Sequence, residues 1–248
     1  MSFRGNLFAG FRKSFPKFFF SVPFSYLLLD HIEPYVFMDN WSSLPFNGQA
    51  RRMRTIASIA ANVDFDVVIE TGTYLGSSTP YLAGLFNCDT FTIEINKYFA
   101  KRAQNRFLNN HKSLKITALV GDSAEVVAKI LEDVSRDKIV FAYLDAHWLD
   151  AIPTKKEINH LIEWGGEWIA VVDDFLVPND SGYKYDSYGE KIIGLEIIPE
   201  NPNIEVWIPG ESAKYETGVR SGTGYIFSNP SMVKRLPENL LKSLTRIK

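Results

Sequence analysis

The chain has 248 residues, 27 Lys+Arg against 29 Asp+Glu, 46% hydrophobic residues and a single cysteine. That length and apolar fraction can build one large core, and a formal net charge of −2 removes any general electrostatic case for nucleic acid. Cys88 has no partner for an intrachain disulfide, which fits a reducing, cytoplasmic setting.

Residues 1–29 hold Arg4, Arg12, Lys13 and Lys17, no acid, and eight phenylalanines. The most apolar stretch, 18–29, is broken by Pro23 and falls short of the roughly 20 residues that a transmembrane helix needs. It also lacks the small-residue cleavage site of a signal peptide. Residues 1–40 are therefore expected to form an arm. It is either a peripheral contact with an anionic membrane surface or a lid or homodimer arm packed on protein. Residues 41–248 are expected to form the domain proper.

Past residue 40, β-rich runs alternate with helical patterns. In 49–61, Met53, Ile56, Ala57 and Ala60 fall at helical spacing while Arg51, Arg52 and Arg54 are assigned to the polar side. Strands are expected at 66–70, 90–94, 114–120, 139–144, 168–172, 204–208 and 224–228, with helices between the first five. This pattern predicts a Rossmann-like, doubly wound α/β sheet of seven strands, mostly parallel, with the last strand antiparallel. Ligands of such sheets bind beyond the carboxyl ends of the strands. Those ends are acidic here: Glu70, Glu94, Asp122, Asp145 and the pair Asp173-Asp174.

The first strand-to-helix turn reads Glu70-Thr-Gly72-Thr-Tyr74-Leu-Gly76-Ser-Ser78. Neither the G-x-G-x-x-G dinucleotide fingerprint nor a phosphate loop is present, which ranks a nicotinamide oxidoreductase low. Glu94, 24 residues after Glu70, is placed to accept both hydroxyls of a ribose. A ribose with a cationic rather than a phosphate tail points to S-adenosylmethionine.

This turn resembles motif I of the class I methyltransferases, in particular the metal-dependent catechol and caffeoyl-CoA O-methyltransferases. Asn47-Gly48-Gln49 resembles the Gly-Gln that opens the preceding helix of those enzymes. Thr92-Ile-Glu94-Ile-Asn96 resembles their ribose-binding strand, and Gly121-Asp122-Ser123 the turn that holds adenine. The resemblance runs from about 43 to 178 and implies the class I methyltransferase fold. It also implies an S-adenosylmethionine site made of Glu70, Gly72, Tyr74, Gly76, Ser78, Glu94, Asp122, Ser123 and Asp145.

Asp145, Asp173 and Asp174 sit on two strand tips 28 residues apart, and converging carboxylates repel unless something positive joins them. A divalent cation is the simplest candidate, Mg²⁺ first, with Ca²⁺ or Mn²⁺ behind it. The resemblance implies the same three ligands. It would also place a catalytic lysine where Trp148 stands, so His147 is expected to replace it as general base, with Asp150, Lys155 and Lys156 as substitutes. The Asp145-Ala-His147 form is closer to macrocin-type sugar O-methyltransferases, so the acceptor is expected to be a hydroxyl of a small molecule or glycan. Phe175 and Trp148 are candidate walls, and the loop 179–189 is a candidate lid bearing Tyr183, Tyr185 and Tyr188. The segment 220–224 reads as a turn without chemistry. Two rivals remain: a metal-dependent hydroxylase of the cephalosporin hydroxylase type, and a non-catalytic, degenerate methyltransferase.

Overall fold

The computed structural model describes residues 44–146 and 152–248; the arm expected over 1–40 lies outside them. After a 3-10 turn at Pro45–Gly48, the chain builds α1 (Ala50–Asn62), β1 (Val67–Thr71), α2 (Thr79–Phe86), β2 (Asp89–Glu94), α3 (Lys97–Asn110) and β3 (Ile116–Val120). It continues with α4 (Ser123–Asp133), β4 (Ile139–Leu144), α5 (Thr154–Trp164) and β5 (Glu167–Asp173). A hairpin of β6 (Ser187–Tyr188) and β7 (Lys191–Ile192) precedes β8 (Glu205–Pro209) and β9 (Thr223–Phe227). The chain closes with α6 (Pro230–Lys234), α7 (Glu238–Leu241) and β10 (Leu244–Arg246).

The main sheet has eight strands in the order β10-β8-β9-β5-β4-β1-β2-β3. β1 to β5 pair in parallel, and β9 inserts antiparallel between β5 and β8. That order, with an antiparallel strand slotted in after five parallel ones, is the class I methyltransferase fold. Sequence periodicity accounts for seven of the strands. The eighth, β10, pairs antiparallel with β8 over Leu244, Thr245 and Arg246. Only Leu244 of the three is buried, so no alternation long enough to read marks it.

Strand alternation separates two apolar layers. Val140, Ala142 and Leu144 of β4 face α4 and α5, while Phe141 and Tyr143 face α1 and α2. Val172 of β5 joins the first layer, and Ile169 and Val171 the second. Chain order reverses between β1 and β4, so the crevice beyond their carboxyl ends is the switch point where a ligand would lie. Among the described residues no helix is long and apolar enough to cross a membrane.

The face of α1 departs from the sequence expectation. Its buried residues are Arg52, Thr55, Ile56 and Ile59, so the helix is rotated to bring Arg52 inward. The arginine is only 1% exposed.

Candidate cofactor and catalytic site

The crevice begins at the turn after β1. Gly72 has φ +82, and a side-chain carbon there would lie 2.2 Å from the backbone oxygen of Asp145. Only glycine lets the turn come this close to the tip of β4. The Asp145 N–H closes the contact by donating to the Thr71 carbonyl at 3.1 Å. Gly76 is required for a different reason. A Cβ there would meet the Phe107 ring at 2.6 Å, so this glycine seats the turn on α3 rather than on a ligand.

Between them Tyr74 takes a left-handed φ of +48. Its N–H donates to Glu94 Oε2 at 2.7 Å, and the Asn96 N–H donates to Glu94 Oε1 at 2.9 Å. Glu94 thus sits at the tip of β2, held by neutral backbone donors. Burial raises its pKa, and the N–H groups of Asn96, Tyr74 and Ile95 partly offset that. Ile95, the next residue, is 72% exposed, an unusual place for a large aliphatic side chain.

Glu70 lies beneath the turn and is 2% exposed. Its Oε2 accepts from Thr79 Oγ1 at 2.5 Å and from Thr92 Oγ1 at 2.7 Å. Burial pushes its pKa up to about 7 against the pull of the two hydroxyls. Ser78 Oγ holds the Phe46 N–H at 3.1 Å. Asp122 accepts from the Ala124 N–H at 3.0 Å and so caps α4, which starts at the buried Ser123. The structure therefore gathers Gly72, Tyr74, Glu94 and Asp145 around one crevice, while Glu70, Gly76 and Ser78 support it from below and behind.

At the tip of β5 Asp173 is engaged elsewhere than in the expected three-carboxylate cluster. Asp173 is 1% exposed and shares the α1 side of the sheet with Ile169 and Val171. There its Oδ1 meets Arg52 Nη1 at 2.6 Å and accepts the Asp174 N–H at 2.7 Å. Its Oδ2 accepts the Tyr143 hydroxyl at 2.7 Å. Arg52 is equally committed. Nε donates to Thr223 Oγ1, Nη1 also donates to Tyr143 Oη, and Nη2 donates to the carbonyls of Ser221 and Gly222. Burial alone would lower the Arg52 pKa, but Asp173, with Tyr143 and Tyr225, outweighs it and holds the guanidinium charged. A dication about 4 Å from that guanidinium would be repelled by roughly 8 kcal/mol at an effective dielectric of 20. Among the described residues no group of three His, Cys, Asp or Glu side chains is arranged to hold a metal ion. With Asp173 paired to Arg52, the expected ligand set does not fit Mg²⁺. In the sequence Asp173 and Asp174 stand as one acidic pair, which hides that their side chains part. Period-two alternation already places Asp173 on the same side as Val171.

The segment 220–224, read as a turn without chemistry, joins Glu216 just before it in fixing α1 in place. Glu216 accepts the N–H groups of Arg51 at 3.0 Å and Arg52 at 3.2 Å, a carboxylate cap supplied from far along the chain. Gln49 exchanges two hydrogen bonds with the backbone of Ser221, which is the structural use of the Gly-Gln resemblance. Gly222 and Gly224 leave room for Phe175, which is fully buried against them and is no wall of the crevice. Tyr183 is buried too, donating to the Glu211 carbonyl at 3.1 Å. Of the expected lid tyrosines, Tyr185 is 45% exposed and Tyr188 is half-buried. Burial, with Asp186, Asp174 and Asp145 nearby, raises the Tyr188 pKa. A cavity of about 290 Å³ opens between α1 and the β8–β10 edge, and none of the residues expected to hold the cofactor lines it. His147, Trp148 and Asp150 lie outside the described residues.

No family model matches the chain, and no curated protein matches it in sequence. Solved structures do match. The O-methyltransferase TomG of Streptomyces achromogenes, solved with S-adenosylmethionine, is 17% identical with a TM-score of 0.46, covering 72% of this chain and 79% of its own. An O-methyltransferase from Bacillus cereus, solved with S-adenosylhomocysteine, is 14% identical with a TM-score of 0.46, covering 75% and 84%. An S-adenosylmethionine-dependent O-methyltransferase from Thermotoga maritima is 18% identical with a TM-score of 0.44, covering 73% and 65%. At such identities nothing about chemistry transfers from them.

Proposed function

We propose that the protein is an S-adenosylmethionine-dependent O-methyltransferase that acts on a hydroxyl of a small molecule or glycan. The observation that carries this reading is Glu94, fixed at the tip of β2 by the N–H groups of Tyr74 and Asn96. An ionised carboxylate has about four lone-pair sites. Backbone N–H groups of Asn96, Tyr74 and Ile95 engage three of them, and the remaining one suits a ribose hydroxyl. Ile95 would offer an apolar face for the purine beside it, with Asp122 and Ser123 at the neighbouring tip of β3. The cationic end of the cofactor would extend along the turn from Glu70 to Ser78 toward Asp145.

When bound, the cofactor supplies a methyl group on a cationic sulfur. The chain's own residues do the rest. Asp145 borders the reacting end, and His147, two residues on, is the base that takes the acceptor's hydroxyl proton. Closing the crevice with Tyr185 and Tyr188 would exclude water and hold acceptor and methyl in line. The hydroxylase rival needs a metal at carboxylates of which Asp173 is already occupied.

Calorimetric titration with S-adenosylhomocysteine tests the reading before any acceptor is known. Saturable one-to-one binding that weakens in Glu94→Ala is the expected result. Absence of binding to the folded wild-type chain would sink the reading.

A further inference from the structure

We propose that this site works without a divalent cation, because Arg52 already supplies the positive charge at the tip of β5. The inference rests on the methyltransferase reading only where it concerns turnover. The charge compensation is a property of the fold. Asp173 would have to be a cation's ligand on β5, yet its charge is already matched by Arg52 at Oδ1, which also accepts the Asp174 N–H, and its Oδ2 accepts the Tyr143 hydroxyl. Mg²⁺ would demand one of those oxygens at about 2.0–2.1 Å.

The guanidinium cannot swing aside to make room. Thr223 on β9, Tyr143 on β4, Asp173 on β5 and the carbonyls of Ser221 and Gly222 engage its five N–H groups. Its helix is pinned in turn by Glu216 and Gln49. An arginine held this way differs from a metal ion in its effect. It neutralises Asp173 and sets the geometry of the β4 and β5 tips, but it presents no open coordination position to an acceptor hydroxyl. Removing that hydroxyl's proton therefore falls to a protein base, and the pH dependence of turnover belongs to that base.

The test uses the full chain. Mn²⁺ is titrated and its free fraction read by electron paramagnetic resonance, and S-adenosylhomocysteine is titrated by calorimetry in chelator and again in excess Mg²⁺. The expected result is an undiminished Mn²⁺ signal. A cation that does not bind cannot change the affinity of another ligand, so the two dissociation constants should agree within about twofold. One Mn²⁺ per chain, displaced when Asp173 or Asp174 is changed to Asn, would overturn the proposal. So would S-adenosylhomocysteine binding that requires Mg²⁺. If the nucleoside binds in neither buffer while Mn²⁺ stays free, the methyltransferase reading fails and the internal neutralisation of Asp173 stands.

Discussion

Two buried carboxylates at the same edge of the sheet have been given opposite fates. Glu94 at the tip of β2 is held by the backbone N–H groups of Tyr74, Asn96 and Ile95 and borders the exposed side chain of Ile95. Asp173 at the tip of β5 is matched by a guanidinium, a phenol and an N–H, and is closed off at 1% exposure. Both read alike in the sequence, as an acid ending a hydrophobic strand. Neutral donors leave a carboxylate its charge and its appetite for hydroxyls, whereas a buried arginine consumes both. The type of partner, more than the acid, separates a ligand-binding position from a structural one.

The largest effect should come from breaking the closed side. Arg52→Met leaves Asp173 buried without its counter-charge, and removing one member of a buried pair costs about 3–5 kcal/mol. Urea denaturation should show that loss. Adding Asp173→Asn to Arg52→Met should restore part of it, because the penalty is the stranded charge. Simple additivity of the two changes would show that they do not act as a pair.

Glu70 gives the next effect and a pH signature. Its folded pKa of about 7 stands above the ordinary 4.5, so the folded state holds a proton that the unfolded chain releases. The stabilisation is whole below about pH 4.5 and is lost as pH rises to about 7, a change of about 3 kcal/mol. Glu70→Gln should flatten that part of the stability profile relative to wild type. An unchanged slope between pH 4.5 and 7 would remove Glu70 as its source.

These two residues also mark how far the sequence could be read. The fold was legible because five hydrophobic strands each end at an acid or a glycine-rich turn, and because long amphipathic helices separate them. The turn at Gly72 was legible for the same local reason. Arg52 was hidden by its neighbours. Arg51, Arg52 and Arg54 look like one polar face, although Arg52, Thr55, Ile56 and Ile59 share helical spacing and lie buried together. Glu216 and Ser221 act on α1 from more than 160 residues away, at separations of 164 for Arg52 and 172 for Gln49, and no local pattern encodes such contacts. The supporting role of Gly76 needed the position of Phe107 on α3, which only packing reveals.

On the open side the expected effects fall on chemistry and binding rather than on folding. His147→Gln should lower turnover on the order of 10²-fold while leaving S-adenosylhomocysteine affinity unchanged. Wild-type turnover would take His147 out of the mechanism. Glu94→Ala should weaken that nucleoside roughly 30-fold, as expected for losing about 2 kcal/mol of charge-assisted hydrogen bonding. A drop in melting temperature as large as that of Arg52→Met would mean that Glu94 is as structural as Asp173, and the contrast between the two tips would fail.

The finest test is Ile95. A side chain 72% exposed contributes little to the core, so Ile95→Ser should leave the urea midpoint nearly unchanged. Covering its exposed face with a purine would bury part of an isoleucine, about 1 kcal/mol of the 1.5–3 kcal/mol available for complete burial. Affinity for S-adenosylhomocysteine should therefore fall about fivefold, with a smaller effect on a ligand that lacks the base. If affinity is unmoved, the purine does not rest on this residue, and Glu94 would have to orient the ribose without an apolar neighbour. If stability falls instead, Ile95 belongs to the fold, and the edge beside β2 is less open than its exposure implies.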